Sequence, residues 1–551
     1  VGTVFTTSAF FASYYNSLNN INMNKVLEDK LNTQMSTKKK ITKPSDDPVI
    51  AIRALRLRGN VTEVTQYYKK NIPDANSWLE VTEGALKKTS DIITNMIGQV
   101  TKGANGDQPS DVREIILEQL KALRNEVYST ADVDYAGRYV FAGYRTDTSI
   151  SFIAAEKKEY TITEQLDTSA MDDVTYIKTT ATNAAGDTVD INDINSTNYN
   201  NIEVSENDIT ASTVHRIRLS YDNLSDGMVP ALTRVTGKDA DGNITTEEIV
   251  PAANVETVSY HASPSAYELV AQNPDKVYFI PETGEMLLGD NVYRTMSAYK
   301  DDATTATVNE GEIRITYQKN EWLKGDLRPE HYFACTSTDD NGVTTDYNQE
   351  YLDGSDVEKQ VIEYDVGFNQ TIRVNTTADE VFKPGIGRET DDLVRALEDV
   401  QSLEKVVSNL DTMVKSETDE TRKATLQKRL DAANKALTLS KDKMQKMFES
   451  GLTAMQGYLD ANNLAITQCG TRGSKLELIE NRMKDQKTTF ETLQSENEDI
   501  DIEEATIQMK GAQLTYTASL MAASKILQTN LLSYPVSYTH LRAHETCADL
   551  V

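Results

Sequence analysis

Two short segments contain residue types that bind metal ions or phosphate, but neither has the spacing that such a site requires. Segment 239–243 alternates carboxylate and amide side chains as a calcium loop does, yet Ile244 stands where that loop needs its glycine. Segment 470–475 is rich in glycine and ends in lysine, but its spacing is not that of a phosphate-binding loop, and no strand-like run precedes it. We therefore expect a hairpin turn at the first segment and no ligand site at either.

The other residues that could bind a metal ion or take part in catalysis are either far apart in the sequence or recur at helical spacing. His215, His261 and His331 lie far apart and have no cysteine or acid at ligand spacing, so we expect surface or half-buried histidines. The methionines of segment 444–455 recur at helical spacing, which indicates core packing, and the acidic run 496–504 indicates a solvated helix face. No nucleophile and base stand in a pattern that supports covalent catalysis. The sequence thus predicts that the protein is not an enzyme and has no catalytic residues, cofactor-binding residues or metal ligands.

The composition excludes several classes of protein. A chain of 551 residues is long enough for more than one domain, but its hydrophobic content of 39% is low, which favours an elongated protein over a spherical one. The net charge of -29 argues against nucleic acid as a partner, because phosphates require a basic surface. No apolar run is long enough to span a bilayer and no cleavable signal is recognisable, so we expect no membrane insertion. Cys335, Cys469 and Cys547 are too few and too scattered for a disulfide framework.

The chain is organised around a long helical pattern near its end, in segment 476–532. Apolar residues recur there at steps of three and four, which predicts one stripe on one helix that packs against a partner helix. Unbroken, the helix has about 57 residues and a length of about 85 Å. Gln486 and Asn497 interrupt the stripe, which weakens the contact but can fix its register. The stripe comprises Leu476, Ile479, Met483, Phe490, Leu493, Ile500, Ile502, Ala505, Met509, Ala512, Tyr516, Leu520, Ala523, Leu527 and Leu531.

A second helical pattern lies near the start of the chain. Apolar residues, including Leu18, Ile21 and Leu31, recur at helical spacing between positions 11 and 35, and the basic cluster 38–43 follows them. If the first and last helices run antiparallel, this cluster lies near the acidic run 496–504. We therefore predict a basic-on-acidic contact that sets the register of the two helices.

The segment 44–48 predicts the start of another helix. Ser45 or Asp46 can accept hydrogen bonds from the first-turn amides, and the acids Asp46 and Asp47 complement the helix dipole. Pro48 suits a position where an amide hydrogen has no partner. Pro73 is expected to kink or split the helical pattern that follows.

Between the helical ends the pattern changes to short runs of β-branched and aromatic residues. Turn residues at 241–242, 282–284 and 341–342 separate strand-like runs, and the clearest predicted hairpin joins 277–280 to 285–288. Helical spacing resumes near Asp391.

The two ends of the chain are unusual. It begins with Val1, which suggests a truncated reading or an alternative start codon. Segment 535–551 carries the string SYTHLRAHET, which resembles a translated sequencing adapter, so we expect a non-native tail.

Several motifs resemble the flagellin superfamily. The run from 44 to 58 is similar to the opening of that superfamily's first rod helix, and segments 76–79 and 137–143 are similar to the versions in its hook-associated branch. Segments 480–482, 495–499 and 526–532 match the same branch better than filament flagellin. The resemblance covers about residues 8–148 and 470–532.

The resemblance implies an α+β fold in which an elongated helical coiled-coil rod is built from both chain ends and carries an inserted, β-rich outer domain. The implied domains are an N-terminal axial helix, N-terminal rod helices, a β-rich surface domain, a helical hairpin that joins the rod, the C-terminal rod and axial helix, and the non-native tail. They correspond in this order to residues 1–44, 45–143, 144–386, 387–465, 466–534 and 535–551.

The implied function is that of a structural component of the bacterial flagellum at the junction between hook and filament. The implied partners are a ring of like subunits, another hook-associated protein, flagellin, an export chaperone and the flagellar type III export apparatus. The implied location is extracellular, reached without a cleaved signal peptide. The candidate residues for the assembly interface are Leu18, Ile21, Leu31, Lys39, Lys40, Ser45, Asp46, Asp47, Met509, Tyr516, Leu520 and Leu527.

Two alternative functions stay open on the sequence. The first is a filament flagellin. Cells that lack a filament flagellin never build filaments, whereas cells that lack a junction protein shed their filaments. The second is a secreted coiled-coil adhesion or binding protein that exposes its β-rich domain, which the absence of neighbouring hook-protein genes would favour.

Overall fold

The computed structural model describes residues 2–105, 108–183, 188–195, 197–199, 202–299, 309–339, 342–353 and 360–528, and for 2–11, 13 and 526–528 it describes the backbone alone. The predicted non-native tail 535–551 lies outside the described residues, as do Cys547 and Leu531. The chain divides into two compact units. The terminal unit consists of Val1–Lys70 with Ile479–Val551, and the central unit is Asn71–Leu478. The domain boundaries derived from the sequence stay predictions.

The terminal unit is helical. Its elements are α1 (Gly2–Thr37), α2 (Pro48–Gln66), α10 (Ile502–Gln528) and the last part of α9 (Glu420–Glu498). The expectation of one helix over 476–532 is therefore wrong, because α9 begins much earlier and the helix is interrupted at 499–501. Asp501 starts α10 locally, since its carboxylate accepts hydrogen bonds from the amides of Glu503 (2.9 Å) and Glu504 (3.2 Å).

The start of α2 follows the predicted signal with one correction. The N-cap is Asp47, not Ser45 or Asp46, and its carboxylate accepts hydrogen bonds from the amides of Val49 (2.9 Å) and Ile50 (3.1 Å). Pro48 occupies the first helical turn, where its missing N–H costs no hydrogen bond.

Pro73 interrupts the regular helical pattern as predicted. A π-helical turn at Tyr67–Asn71 precedes α3 (Ile72–Gly103), which has the proline in its first turn. A proline in a helix interior lacks the amide donor and its ring collides with the carbonyl four residues earlier. The wider turn relieves that conflict, so helical backbone continues on both sides of it.

In the central unit, long helices flank the β-rich region in sequence. The helices α3, α4 (Ser110–Ala131) and α8 (Pro384–Ser416) and most of α9 belong to it, and α8 begins seven residues before the expected Asp391. Buried apolar residues join α3, α4, α8 and α9 in one core. Met444 and Met455 are buried as predicted, with exposures of 1% and 0%. Gly470 and Gly473 lie inside α9 without ending it.

The β-rich region contains two larger sheets. One has the strand order β10-β11-β12-β7-β4 and the other β15-β14-β3-β13-β8-β9, while β1-β2, β5-β6 and β16-β17 form separate pairs. Among the strands that the structure describes, all pairings are antiparallel except that of β10 with β11. The strands of this region and those just before it are β1 (Asp134–Tyr135), β2 (Arg138–Tyr139), β3 (Glu156–Leu166), β4 (Met171–Lys178), β5 (Thr180–Thr182), β6 (Thr188–Asp190), β7 (Thr210–Arg218), β8 (Ala231–Lys238), β9 (Ile244–Glu248), β10 (Val255–Thr257), β11 (Val277–Ile280), β12 (Glu285–Leu288), β13 (Ile313–Trp322), β14 (Ala334–Thr338), β15 (Thr344–Tyr347), β16 (Glu363–Gly367) and β17 (Gln370–Arg373). Three short helices accompany them: α5 (Ala266–Gln272), α6 (Asp290–Met296) and α7 (Ala378–Val381).

Hairpins form at the predicted turns 241–242 and 282–284, and β14 pairs with β15 on either side of 341–342, of which Asn341 lies outside the described residues. β11 and β12 pair over the expected bounds, and Gly284 in their turn has a φ of 63°. A Cβ at Gly284 would lie 1.9 Å from the carbonyl oxygen of Tyr221, so only glycine suits this position. Segment 239–243 is the turn between β8 and β9, in which the Asp239 carboxylate accepts hydrogen bonds from backbone amides rather than holding calcium.

The expectation of surface or half-buried histidines is wrong for His331, whereas His215 is half-buried and His261 is exposed as expected. His331 is buried, at 6% exposure, and its Nε2 lies 3.0 Å from the Ser149 carbonyl oxygen. His215 has an acidic partner on the neighbouring strand, since its Nδ1 lies 2.7 Å from the Asp173 carboxylate. Strand pairing brings these residues together, so ligand spacing along the chain gives no sign of it. Among the described residues, no group of three or more histidine, cysteine or acidic side chains is arranged to hold a metal ion. No described helix has the length and apolar character needed to cross a membrane.

Candidate assembly interface of the terminal helices

In the terminal unit, the segments that connect α1 to α2 and α9 to α10 pair as a short antiparallel ladder. The amide of Lys40 donates to the carbonyl of Glu498 over 2.7 Å, and the amide of Ile500 donates to the carbonyl of Lys38 over 3.2 Å. Lys38 has a φ of 57°, a left-handed conformation that ends α1. The bridged pair of the ladder is Lys39 with Asp499.

The side chains around the ladder form a cluster of ion pairs. Lys39 Nζ lies 2.6 Å from Asp499 Oδ1 and 3.3 Å from Glu498 Oε2. The guanidinium of Arg58 on α2 binds the same glutamate with two parallel hydrogen bonds, Nε to Oε1 at 2.7 Å and Nη2 to Oε2 at 2.6 Å. Glu498 thereby links α2, the end of α9 and the segment that follows α1.

Within the cluster, each charged group changes the pKa of its partners: the carboxyl pKa values are lowered and the lysine pKa is raised. Hydrogen bonds from Arg58 and then from Lys39 lower the pKa of Glu498. Hydrogen bonds from Lys39 and Ser495 lower the pKa of Asp499, and Asp499 in turn raises the pKa of Lys39. All the charged forms are therefore favoured near neutral pH.

The predicted contact between the basic cluster and the acidic run is present, but its details differ from the expectation. Lys39 takes part with its side chain, and the Lys40 ammonium donates to the carbonyl of Glu496 rather than to a carboxylate. Glu498 is 2% exposed, so the run 496–504 is not solvated throughout. Arg58 is not among the predicted interface residues, because nothing along the chain indicates a partner 440 positions away.

The acids before α2 order the connecting segment. The Asp46 carboxylate accepts hydrogen bonds from the amides of Lys43 (2.9 Å) and Thr42 (3.0 Å), which lower the pKa of Asp46. It thus closes the turn before α2, while Asp47 caps the helix. Ser45, directly before these two acids, is exposed.

The helices α1 and α10 pack antiparallel along a seam with heptad spacing. On α1 the less exposed residues fall at alternating steps of three and four, and on α10 a matching set contains three alanines that allow close approach. The α1 set is Tyr14, Ser17, Ile21, Asn24, Glu28, Leu31 and Met35. The α10 set is Ala505, Met509, Ala512, Tyr516, Ser519 and Ala523.

The seam contains some of the predicted interface residues and leaves others outside. Ile21, Leu31, Met509 and Tyr516 lie in it. Leu18 and Leu520 flank it, with exposures of 39% and 43%. The side chain of Leu527 lies outside the described part of α10.

A polar pair inside the seam was not predicted. The Asn24 amide donates to the Ser519 hydroxyl over 2.6 Å. A polar pair in an apolar seam specifies register, because any shift leaves a polar group without its partner. Asn24 stands at a heptad position of the α1 pattern, which is the signal that would have identified it. Asn497, predicted to fix register, does bind across to α2, with its Nδ2 3.2 Å from the Ile50 carbonyl oxygen.

Large apolar side chains also lie on the faces of α1 and α10 that point away from the seam, and on one face of α2. They are exposed at three places, on α1, α2 and α10, and each set recurs on one side of its helix. The sets are Tyr15, Met23 and Val26 on α1; Val49, Ile52 and Leu55 on α2; and Ile507, Leu514 and Met521 on α10. Such an arrangement performs no chemistry, but it can bind further helices.

Comparison with known proteins relates this helical region to flagellar proteins. Residues 11–146 match the family model of the bacterial flagellin N-terminal helical region. Flagellar hook-associated protein 3 of Escherichia coli is 31% identical over 146 residues, 25% of this chain and 45% of that protein. Flagellar hook-associated protein 3 of Salmonella typhimurium is 31% identical over 121 residues, 22% of this chain and 38% of that protein. The matches thus span less than half the length of either relative.

A solved structure of flagellar hook-associated protein 3 from Legionella pneumophila aligns with 77% of this chain and 98% of its own, at 9% identity and a TM-score of 0.20, which supports no inference about fold or function. The family model and the two relatives confirm the resemblance that the sequence motifs predicted. Residues 11–146 of this chain are thus similar to the bacterial flagellin N-terminal helical region, and the chain resembles flagellar hook-associated protein 3.

Proposed function

We propose that this protein is a structural component of the bacterial flagellum that forms the junction between hook and filament. The observation that carries the proposal is the set of outward apolar faces on the terminal helices. Ile507, Leu514 and Tyr15 are 72%, 74% and 69% exposed within one copy of the chain. Apolar side chains at that spacing gain stability when further helices cover them.

The proposed mechanism is association of helices in place of catalysis. Packing supplies most of the stability of a helix in a protein, and the α1–α10 seam contains polar side chains, including Asn24, Glu28 and Ser519. The pair is therefore marginal alone and gains stability from neighbouring subunits. The ladder at Lys39 and Asp499 fixes the register in which the two helices are presented to them.

The proposed partners are like subunits, another hook-associated protein and flagellin. We place the protein outside the cell, exported unfolded by the flagellar type III apparatus with an export chaperone and without a cleaved signal. The described cysteines suit such a route, because Cys335 and Cys469 are buried thiols that need no pairing or cofactor. Burial raises the pKa of Cys469 to about 11, which keeps it protonated and unreactive.

The test is to locate the protein and to remove it. A labelled antibody should mark a narrow zone at the hook–filament boundary of isolated flagella. Cells without the gene should make hooks and shed filament subunits into the medium, and the wild-type gene should restore attached filaments. Labelling along the whole filament, with loss of filament protein in the deletion strain, would instead identify a filament flagellin.

A variant separates assembly from folding. Leu514→Asp places a charge on the outward face of α10 and should reduce attachment to purified hooks. Its far-ultraviolet circular dichroism should stay unchanged, because the side chain is solvated in one copy. Thr515→Asp, at an exposed position of the same helix that points away from this face, is the control for added charge.

A further inference from the structure

The outward face of α2 carries apolar and basic side chains together. Val49, Ile52 and Leu55 are 62%, 54% and 66% exposed, and Arg53 and Arg56 are exposed on the same side of the helix. Neither arginine forms an ion pair within the part of the chain that the structure describes. We call these five residues the α2 patch.

The outward face of α10 carries a complementary set. Ile507 and Leu514 lie seven residues apart on the side opposite the seam, at exposures of 72% and 74%. Glu503 and Glu504 are exposed one turn before Ile507. We call these four residues the α10 stripe.

We propose that the α2 patch of one copy binds the α10 stripe of a second copy, an inference that rests on the proposed function because it names a subunit contact within the assembly. Both surfaces are exposed in a single copy, so they do not cover each other within one chain. In the contact, the three apolar side chains of the patch lie against Ile507 and Leu514, and the two arginines lie against Glu503 and Glu504.

Charge distinguishes the α10 stripe from the exposed apolar face of α1. On α1 the neighbouring exposed charges are mixed, with Lys25, Asp29 and Lys30 close together. On α10 two glutamates precede the apolar stripe and one exposed lysine, Lys510, lies between Ile507 and Leu514, so this face is net acidic, whereas the three α1 charges are net basic. A patch with two arginines is therefore complementary to α10 and not to α1. The contact joins different surfaces, so each copy can bind one neighbour through α2 and another through α10, as successive subunits of a ring or helix require.

Charge exchange between two populations of the full-length chain tests the contact. One variant is Arg53→Glu with Arg56→Glu, and the other is Glu503→Lys with Glu504→Lys. Each variant alone places like charges across the contact and should bind to itself about tenfold more weakly than the wild type. An equimolar mixture should recover wild-type association, because alternating copies restore opposite charges at every contact.

Photo-crosslinking tests the same contact directly and does not depend on hooks. Ile52→p-benzoylphenylalanine in an unlabelled chain, mixed at high concentration with an isotope-labelled chain, should crosslink to the labelled copy within residues 503–514. Mapping by mass spectrometry distinguishes crosslinks between copies from those within one chain. The control Arg422→Glu with Lys428→Glu reverses two exposed charges on α9 and should leave the crosslink yield unchanged.

The outcomes separate this contact from the proposed function. Crosslinks only within one chain, crosslinks to another segment, or none at all overturn the contact, and so does a mixture that associates no better than its components. Binding to purified hooks is measured in parallel. A chain that binds hooks but fails these tests keeps the proposed function and loses the contact, whereas a chain that passes them without binding hooks keeps the contact and loses the function.

Discussion

Lys39 and Asp499, which are 460 positions apart in the chain, are paired through both backbone and side chain. Their backbones form the bridge of the antiparallel ladder, and Lys39 Nζ lies 2.6 Å from Asp499 Oδ1. A shift of one residue in either segment would break both interactions. The pair therefore fixes the register with which α1 meets α10.

Removal of the Glu498 side chain should loosen the ladder. Glu498→Ala deletes the carboxylate that Arg58 and Lys39 share, and we expect a loss of about 1 kcal/mol because both basic groups are exposed and screened by solvent. The measurement is hydrogen exchange at the amides of Lys40 and Ile500, whose protection should fall about fivefold. Glu491→Ala removes an exposed i,i+4 partner of Lys487 and should leave that protection unchanged. Equal effects of the two substitutions would contradict the role assigned to Glu498.

The ladder should weaken in acid. The pKa values of Glu498 and Asp499 are lower in the folded chain, through hydrogen bonds from Arg58 and Lys39 respectively, so these carboxylates contribute stability above their unfolded pKa of about 4. That contribution disappears as the pH falls through the folded values. The pKa of Lys39 is raised by Asp499, so its contribution is complete below about pH 10 and disappears as the pH rises through the folded value.

Hydrogen exchange at Ile500, corrected for the intrinsic pH dependence of exchange, should therefore be constant between about pH 6 and 9 and faster below about pH 4. The buried core amide of Leu86 in α3 serves as a control that lacks this cluster. Protection at Ile500 that stays the same from pH 6 to pH 3 would show that the ion pairs contribute nothing to the ladder.

Charge reversal at the bridged pair should impair attachment to the hook and be repaired by the second reversal. Lys39→Glu faces Asp499 and Glu498 with a third carboxylate, while Lys39→Glu with Asp499→Lys restores one opposite pair. Reversal of Glu498 is unsuitable as the repair, because it would place a lysine against Arg58. The defect of the single variant should shrink at high salt, since exposed charges are screened within about 10 Å. A double variant that attaches no better than Lys39→Glu would assign the lysine to another partner.

Deletion of the β-rich residues 150–380 should expose apolar surface on the helical hairpin of α8 and α9. Buried apolar residues such as Ile177 and Ile209 pack on residues 403–436 of that hairpin, where Leu403, Leu410 and Leu430 are buried. The deletion alone should therefore lower solubility and increase binding of an apolar dye. Replacing 406–437 by a short glycine-rich turn in the same deletion removes most of the exposed surface and should restore solubility. Equal solubility of the two deletions would show that this packing is dispensable.

Asp392 on α8 should be a strong determinant of stability in the central unit. Burial alone would raise the pKa of Asp392, but Arg216 and Arg218 hold it well below its usual range. Its Oδ2 lies 2.8 Å from Arg216 Nη2, and both side chains are 5% exposed. Asp392→Asn leaves these guanidinium groups undercompensated and should lower the free energy of unfolding by about 3 kcal/mol in denaturant titrations. Asp411→Asn, in an exposed pair with Lys415, should cost less than about 0.5 kcal/mol.

Local chemistry in the sequence determined the elements of this protein. The segment 44–48 predicts the start of α2, because helix capping and the fixed φ of proline depend only on residues that are close together in the sequence. Segment 282–284 predicts the β11–β12 hairpin, because a tight turn of this kind needs glycine at the position with a positive φ. Periodicity identified the helices at both ends, since a helix repeats its buried face every three to four residues.

Tertiary structure decided which of those residues form the interface. The interruption at 499–501, the burial of Glu498 and its pairing with Arg58 depend on segments more than 400 positions apart. An acidic run has the same local pattern whether water or a guanidinium faces it, so the sequence indicated a solvated face. Asn24 and Ser519 are likewise ordinary polar residues until the antiparallel packing of α1 on α10 places them opposite each other. The physical reason is that ion pairs and polar pairs form only between segments that lie side by side. The folded structure alone determines which distant segments of the chain do so.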